Sequence, residues 1–408
     1  MTFEELYQDL LLRSVRNENF PVMPQDADQL DCLLNPGKYA PVLAIDKCGH
    51  CAYEQACRRS CIFDAITETE EGRMKIDPSL CTGCGACIDA CVEGKLTASR
   101  DVLPAMKAVR QPGRLSYALI APAFVGQFSQ EVTPGKLRNA FKALGFDGMM
   151  EVALFADILT LKEALEFDRN ILEDGDYQLT SCCCPVWIAM IRKIYHDLMP
   201  HVPGAVSPMV ACGRVVKKLH PDAVTVFVGP CIAKKSEARE PDIADAVDYV
   251  LTFQEVQDIF NAAGIDPARL PDSEREHSSR AGRIYARTGG VSEAVNRTVE
   301  QLSPNRKITV RTRQADGVPA CRAMIEELKS GRAQANFFEG MGCVGGCVGG
   351  PKSILDREQS RENVNAYGDE AVYATPLENP HVLELLHRLG FNTVEALLEH
   401  SDIFTRQF

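Results

Sequence analysis

The sequence predicts an α/β domain built around a cysteine-lined active site, preceded by a small α+β module. Two observations carry this. Cysteines between 48 and 91 fall into two closely spaced runs. Beyond residue 115, Val/Ile-rich runs end in Pro/Gly turns that carry further cysteines and alternate with stretches of helical period, the texture of an α/β fold. At 408 residues and 45% hydrophobic, the chain can bury a large core and a smaller one. A net charge of -12 argues against nucleic acid or an anionic membrane as the main partner. No apolar run reaches the roughly 20 residues of a membrane span. Met1-Thr2-Phe3-Glu4-Glu5-Leu6 lacks the basic and apolar regions of a signal peptide, so a cytoplasmic protein is expected. Seventeen cysteines in such a compartment are ligand sets before they are disulfides. Most of the eight histidines lie away from them, which disfavours mixed Cys/His zinc sites.

Taken in order, residues 1–40 read as an N-terminal helical extension packing on the body through Phe3, Leu6, Leu10 and Leu11. Residues 41–100 form the small module. Cys81, Cys84, Cys87 and Cys91 follow C-x2-C-x2-C-x3-C, the bacterial ferredoxin spacing. Cys48, Cys51, Cys57 and Cys61 repeat it with three extra residues inserted before Cys57. Three thiolates from one turning loop cap three irons, and a distant one closes the cube. Cys48, Cys51, Cys57 and Cys91 are therefore expected to hold one 4Fe–4S cluster, and Cys81, Cys84, Cys87 and Cys61 the other. The competing reading is a pair of zinc ribbons, which this tandem spacing serves poorly. Ile62 and Val92 stand where proline usually follows the last cysteine.

Residues 101–114 read as a Pro/Gly-containing, mildly basic linker, and 115–408 as the active-site domain. Strands are expected at Leu115–Ile120, Ala223–Val228 and Arg283–Ala286, and helices at Lys136–Leu144 and Ile158–Leu172. The tail after about 365 reads as amphipathic helix. Cys32, Cys212 and Cys321 stand alone and are expected to be small buried hydrophobes.

The densest signal is Phe337 to Pro351, where Cys343 and Cys347 lie four residues apart among six glycines, with Met341 just ahead. Were the segment helical, both sulfurs would share a face, and glycines would let backbone approach a bound object. The alternatives are a metal cluster and a glycine-rich structural turn. Two more cysteine turns tip the balance to the cluster: Thr180-Ser181-Cys182-Cys183-Cys184-Pro185-Val186-Trp187, and Gly229-Pro230-Cys231-Ile232-Ala233-Lys234-Lys235-Ser236-Glu237. Cys184, Cys231, Cys343 and Cys347 make four thiolates, the number that a third cube needs.

These three turns resemble the signature motifs of the iron-only (FeFe) hydrogenase catalytic domain: TSCCPxW, PCxxKxxE and ExMxCxxGCxxGG. Ala121-Pro122-Ala123, Leu144 to Asp147 and Thr288 to Glu293 are similar to its supporting segments. The likeness covers about 115–355, and the module extends it back to about 41. It implies reversible interconversion of H2 with protons and electrons. It implies that Cys184, Cys231, Cys343 and Cys347 hold a 4Fe–4S cube, bridged by Cys347 to a diiron unit with CO, cyanide and a dithiolate amine. Lys234 would donate to a cyanide, a charge-assisted bond to a buried anion. Met341 would pack on the diiron ligands, with Ala121, Pro122 and Pro230 lining the same pocket. Cys183 would pass protons, followed by Glu163 and Glu166, which share a helical face; solvated glutamates are the alternative there. The implied partners are H2, protons, a redox protein such as ferredoxin and diiron-site maturation proteins. Lys107, Arg110 and Arg114 could form a local basic patch for an acidic ferredoxin.

Four departures imply a divergent branch with a water-bridged or rerouted proton path. Cys182 is an extra cysteine in the first turn, so either it or Cys183 could relay protons. Pro203 stands where a serine commonly links the two glutamates, Asn170 where an arginine often ends the relay, and Gly229 where a methionine usually packs. Two other functions share the likeness: an iron–sulfur assembly factor without the diiron unit, and an H2 sensor with a signalling domain.

Overall fold

The computed structural model describes residues 2–20, 27–45, 56–70, 74–180, 183–273, 277–399 and 401–406. Cys48, Cys51 and Cys182 lie outside them. The chain opens with the helix Phe3–Val15, started by a capping box in which the Thr2 hydroxyl accepts from Glu5 N–H while the Glu5 carboxylate accepts from Thr2 N–H. Its apolar face (Phe3, Leu6, Tyr7, Leu10, Leu11) is buried against the helices Val102–Val109 and Phe253–Ala263. Each such side chain contributes about 1.5–3 kcal/mol on burial.

The small module is two β-α-β units. β1 (Val42–Ala44), the helix Ala56–Arg59 and β2 (Ile66–Glu68) are echoed by β3 (Met74–Ile76), the helix Ala86–Asp89 and β4 (Leu96–Ala98). The units interlock, β1 pairing with β4 and β2 with β3, both antiparallel. The echo extends to the sulfurs. Cys61 Sγ accepts from Ala65 N–H and Cys91 Sγ from Lys95 N–H, each at 3.4 Å and four residues on. Ala40, Val42, Ala65, Ile66 and Leu96 close a small core that includes Cys57, Cys81 and Cys87.

Residues 101–114, expected as a linker, carry the helix Val102–Val109. Val102, Leu103, Ala105, Met106 and Val109 are buried in the main core, so this stretch docks the module where a tether was expected. Its Pro104 sits in the first turn, where a missing N–H costs nothing.

The large domain holds two parallel sheets. β5 (Ser116–Ile120), β6 (Gly148–Glu151), β8 (Val224–Gly229) and β9 (Tyr249–Thr252) order as β6-β5-β8-β9. β7 (Gln178–Leu179), β10 (Thr312–Asp316) and β11 (Phe337–Met341) order as β10-β11-β7. β8 is buried throughout, which explains its unbroken Val/Phe run. The helices Pro134–Leu144 and Ala153–Asn170 answer to the expected ones; the second begins five residues before its expected start and ends two residues before its expected end.

Two expectations fail for physical reasons. Arg283–Ala286 is helical, not a strand: the helix Arg280–Arg283 runs into a 3-10 turn, Ile284–Ala286. A short apolar run does not tell helix from strand, and a distant group decides the case. The Asp157 carboxylate accepts from Ser279 N–H, the Ser279 hydroxyl and Gly282 N–H, fixing the helical start. Nor is Phe337–Cys347 helical. It is β11 followed by a turn through Gly345 and Gly346 (φ 85° and 84°) and a 3-10 turn, Cys347–Gly349.

β11 admits no side chain at Gly340, where a Cβ would lie 2.1 Å from the Trp187 ring. Gly340→Ala is expected to cost about 1–3 kcal/mol by overpacking. Gly175→Ala, with open space around it, should stay within about 0.5 kcal/mol. Urea unfolding of the two variants side by side checks this.

Candidate active site

The site lies beyond the carboxyl ends of strands from both sheets, where open α/β sheets place ligands. β5 ends in Ala121-Pro122, β8 in Pro230-Cys231, β7 leads to Cys183-Cys184, and β11 runs out through Met341 to Cys343. The four thiols of Cys184, Cys231, Cys343 and Cys347 gather there. Gly342 N–H donates to Cys184 Sγ at 3.2 Å, joining the first turn to the third. Burial, then Cys184, pushes the Cys231 thiol up to about 11. Burial, then Cys231 and Cys184, pushes Cys347 up to about 12. Cys343 is raised well above the usual thiol range by burial and then by Cys231, Cys184 and Cys347. Thiols that raise one another in a dry pocket suit metal, because a cation removes the penalty on all of them. Among the described residues no three His, Cys, Asp or Glu side chains close to single-ion spacing.

The glycines explain how backbone comes so near. A Cβ at Gly349 would lie 1.9 Å from Val344 O, and one at Gly350 would lie 2.8 Å from Pro230 Cβ. Glu339, to which cysteine spacing assigns no role, anchors the strand. It is fully buried and accepts from Gly289 N–H, Ser292 N–H and the Ser292 hydroxyl, capping the helix Gly290–Leu302. Asp316 accepts from Gly345 N–H and the Thr288 hydroxyl, pinning the turn between the two cysteines. Neither role is legible in spacing, since both partners are distant in sequence.

The remaining singled-out residues divide. Lys234 is buried and ion-paired to Glu237 at 2.6 Å. Burial works to lower its pKa, but Glu237, Cys231 and Cys347 outweigh that and raise it, so the ammonium sits among the thiols. Met341 is buried in a cluster against which Cys183 and Cys184 pack. Ala121 lies beside Gly229, where a Cβ would meet Ala121 Cβ at 3.1 Å and the Phe227 ring at 2.8 Å. A methionine there would have to displace the Phe227 ring. Pro122 is half-buried at the same strand end. Glu163 and Glu166 are buried on the helix Ala153–Asn170, so they are not the solvated glutamates of the alternative. Glu166 is ion-paired to the buried Lys162. Asn170 is exposed at the end of that helix.

The small module reaches the site directly. Cys84 is among the thiols acting on Cys343. A Cβ at Gly83 would lie 3.0 Å from Ala233 Cα, and one at Gly85 3.5 Å from Pro351 Cβ. The loop bearing Cys81, Cys84 and Cys87 therefore packs on the turns that follow Cys231 and Cys347. Cys61 and Cys91 lie beside this core, with Cys57 inside it.

Comparison with known proteins agrees with this geometry. Residues 114–351 match the C-terminal domain of the iron only hydrogenase large subunit. Residues 74–91 match a 4Fe-4S binding domain. The chain belongs to the iron-only hydrogenase family and carries an iron–sulfur binding motif. It is 28% identical over 397 residues to the NADP-reducing hydrogenase subunit HndD of Solidesulfovibrio fructosivorans, covering 82% of this chain and 68% of that one. It is 30% identical over 273 residues to iron hydrogenase 1 of Clostridium pasteurianum, covering 57% of this chain and 47% of that one. It is also 21% identical over 365 residues to the cytosolic Fe-S cluster assembly factor NAR1 of Yarrowia lipolytica, covering 66% and 73%. A solved structure of a variant of FeFe-hydrogenase HydA1 from Chlamydomonas reinhardtii shares the fold, with a TM-score of 0.63, 24% identity, and 76% and 98% coverage. Among the described residues no helix is long and apolar enough to cross a membrane.

Cys321 separates ligand from bystander. It is buried nearby, but its thiol donates to Met341 O and Ala315 O and is already engaged by backbone. In reconstituted protein Cys231→Ala should lose one cube's worth of iron, about four ions, while Cys321→Ala keeps all of it. Iron analysis with EPR checks both.

Proposed function

We propose that this protein is an FeFe hydrogenase of a divergent, TSCCCP-type branch, interconverting H2 with protons and electrons. The observation that carries the reading is the buried Lys234 ammonium beside the thiols of Cys231 and Cys347. A buried ammonium there offsets the negative charge of a cube held by four thiolates, and it can also donate to an anionic ligand of a further metal unit. The donor set fits the group: four gathered thiols, a glycine-lined approach, a buried donor at Lys234 and the soft side chain of Met341.

Cys184, Cys231, Cys343 and Cys347 would hold the 4Fe–4S cube, and Cys347 would bridge it to a diiron unit with CO, cyanide and a dithiolate amine. When bound, that assembly supplies the reduction of two protons to H2 and the reverse reaction. The chain does the rest. Lys234, oriented by Glu237, would donate to a cyanide. Met341, Ala121, Pro122 and Pro230 keep the pocket dry. Cys183 takes up and releases the proton at its Sγ, and Glu163 and Glu166 carry it outward. Two 4Fe–4S clusters in the small module, on Cys48, Cys51, Cys57 and Cys91 and on Cys81, Cys84, Cys87 and Cys61, would pass electrons inward, with Cys84 next to the site. A redox protein such as ferredoxin would supply them, and maturation proteins would deliver the diiron unit.

The relatives that are assembly factors make the second reading concrete, and one spectrum divides the two. Protein matured with a synthetic diiron unit should show infrared bands of metal-bound CO and cyanide, and should evolve and consume H2. Lack of bands in protein that has its full iron–sulfur content would move it to the assembly-factor side. Lys234→Met is expected to abolish the bands while leaving the EPR of the cubes. Cys183→Ala should keep the bands and lose about 10²–10⁴-fold in turnover, the usual worth of one proton-transfer group.

A further inference from the structure

The helix Ala153–Asn170 buries a charge that the relay described above does not use. Lys162 is 1% exposed, and its ammonium is hydrogen-bonded to one carboxylate oxygen of Glu166, one turn further on. The other oxygen, Oε2, is buried without a hydrogen-bond partner among the described residues. Glu163, adjacent to Lys162 in sequence, is fully buried. A buried lysine–glutamate pair gives little net stability, because desolvation of both charges offsets their attraction. Apolar residues of similar volume often replace such a pair at no cost to stability. Meanwhile the chain has no hydroxyl at Pro203 and an exposed amide at Asn170.

We propose that Lys162 is a positioning residue for proton transfer: it fixes Glu166 in one rotamer as an ionised carboxylate, with Oε2 turned to receive the proton, in a chain that lacks a linking hydroxyl at Pro203. This rests on the reading that Glu163 and Glu166 carry protons. The electrostatics agree in direction. Burial pushes the Glu166 carboxyl up, and Lys162, then Arg169, pull it down, leaving it raised. Both opposing charges sit on Glu166's own helix. Arg169 is exposed and engaged with Glu399 of the helix Val394–Glu399. The helix Gly290–Leu302 packs on the same helix, but its Glu293 is held by Arg280, Arg287 and Arg297. The helix Arg280–Arg283 commits Arg280 to Glu293 and Asp369, and Arg283 to Ser278 and Tyr367. From the helix Pro208–Leu219, Arg214 pairs with Asp245 and Lys217 with Asp248. From the helix Pro380–Arg388, His381 lies against His277, and Arg388 pairs with Glu384. Among the described residues Lys162 is thus the buried opposite charge beside Glu166.

The sign follows. Outward proton transfer needs Glu166 able to accept, so a higher Glu166 pKa moves the acid limb of H2 oxidation to higher pH. Losing an opposite charge at hydrogen-bond range is worth about 1–3 units. Lys162→Met is therefore expected to move that limb up by a unit or more, with Lys162→Arg restoring it. The same rise should appear without turnover, in protein carrying its cubes but no diiron unit. There the protonated-carboxyl infrared band, assigned to Glu166 by its loss in Glu166→Gln, should titrate at higher pH in Lys162→Met. An unmoved band and profile in folded Lys162→Met would overturn the proposal. If that variant does not fold, Lys162→Met with Glu166→Gln removes both charges and is the milder change. It should turn over like Glu166→Gln alone, and a further loss would show that Lys162 acts otherwise. CO and cyanide bands in the matured wild type keep these outcomes separate from the hydrogenase reading, whose failure would appear there first.

Discussion

Four buried thiols from three remote turns have to face one another, and most of the large domain serves that requirement. Left bare, the thiols repel as they ionise and resist ionising because they are buried. Such an arrangement persists only where backbone is held from several sides. Glu339 ties β11 to the start of one helix, Asp316 ties the Gly345 turn to the strand beside it, and Gly342 reaches Cys184. Glycine then becomes a steric necessity. At Gly349 and Gly350 the backbone runs against other backbone where a Cβ would stand.

The same logic joins the two domains. Ser236, five residues past Cys231, donates through its hydroxyl to Cys81 O. Lys193, at the end of the helix that Cys184 begins, donates to Ser79 O and Leu80 O. Asp101, just past the module, accepts from Val250 N–H and from Arg239. Each tie joins the module, or the residue just past it, to the large domain. Electron transfer weakens steeply with separation, and rigid short ties of this kind hold the separation fixed. The helix Val102–Val109 completes the joint, which explains why a stretch with linker-like composition is buried.

What the sequence reveals here is chemistry more than shape. Cysteine spacing is local, so the repeat of 48–61 in 81–91 could be read without a fold, and the equal Cys61 and Cys91 hydrogen bonds give it a structural counterpart. The gathering of Cys184, Cys231, Cys343 and Cys347 was legible only because motifs stood in for geometry. Val224–Gly229 was legible as a strand because it is buried on both faces. Ile284–Ala286 was not, since its conformation depends on Asp157, far away in sequence. Spacing also hid the carboxylates that do structural work, because Glu339 and Asp316 act on partners some 30 to 50 residues away.

Lys162, Lys234 and Lys235 are buried, and each meets a glutamate: Glu166, Glu237 and Glu255. For Lys235 the reason is mechanical. It also donates to Val250 O and lies 3.9 Å from Asp101, so it stands at the seam of module and domain and secures it. Lys162 has no such seam to secure, and Lys234, next to the Ala233 that meets the module's Gly83, also faces the thiols of Cys231 and Cys347. Buried pairs of this kind stabilise little, and apolar replacements often do better, so their retention calls for another cause. One stands among the thiols, where an anionic ligand would need a donor. The other holds a buried carboxylate on the helix that leads away from them.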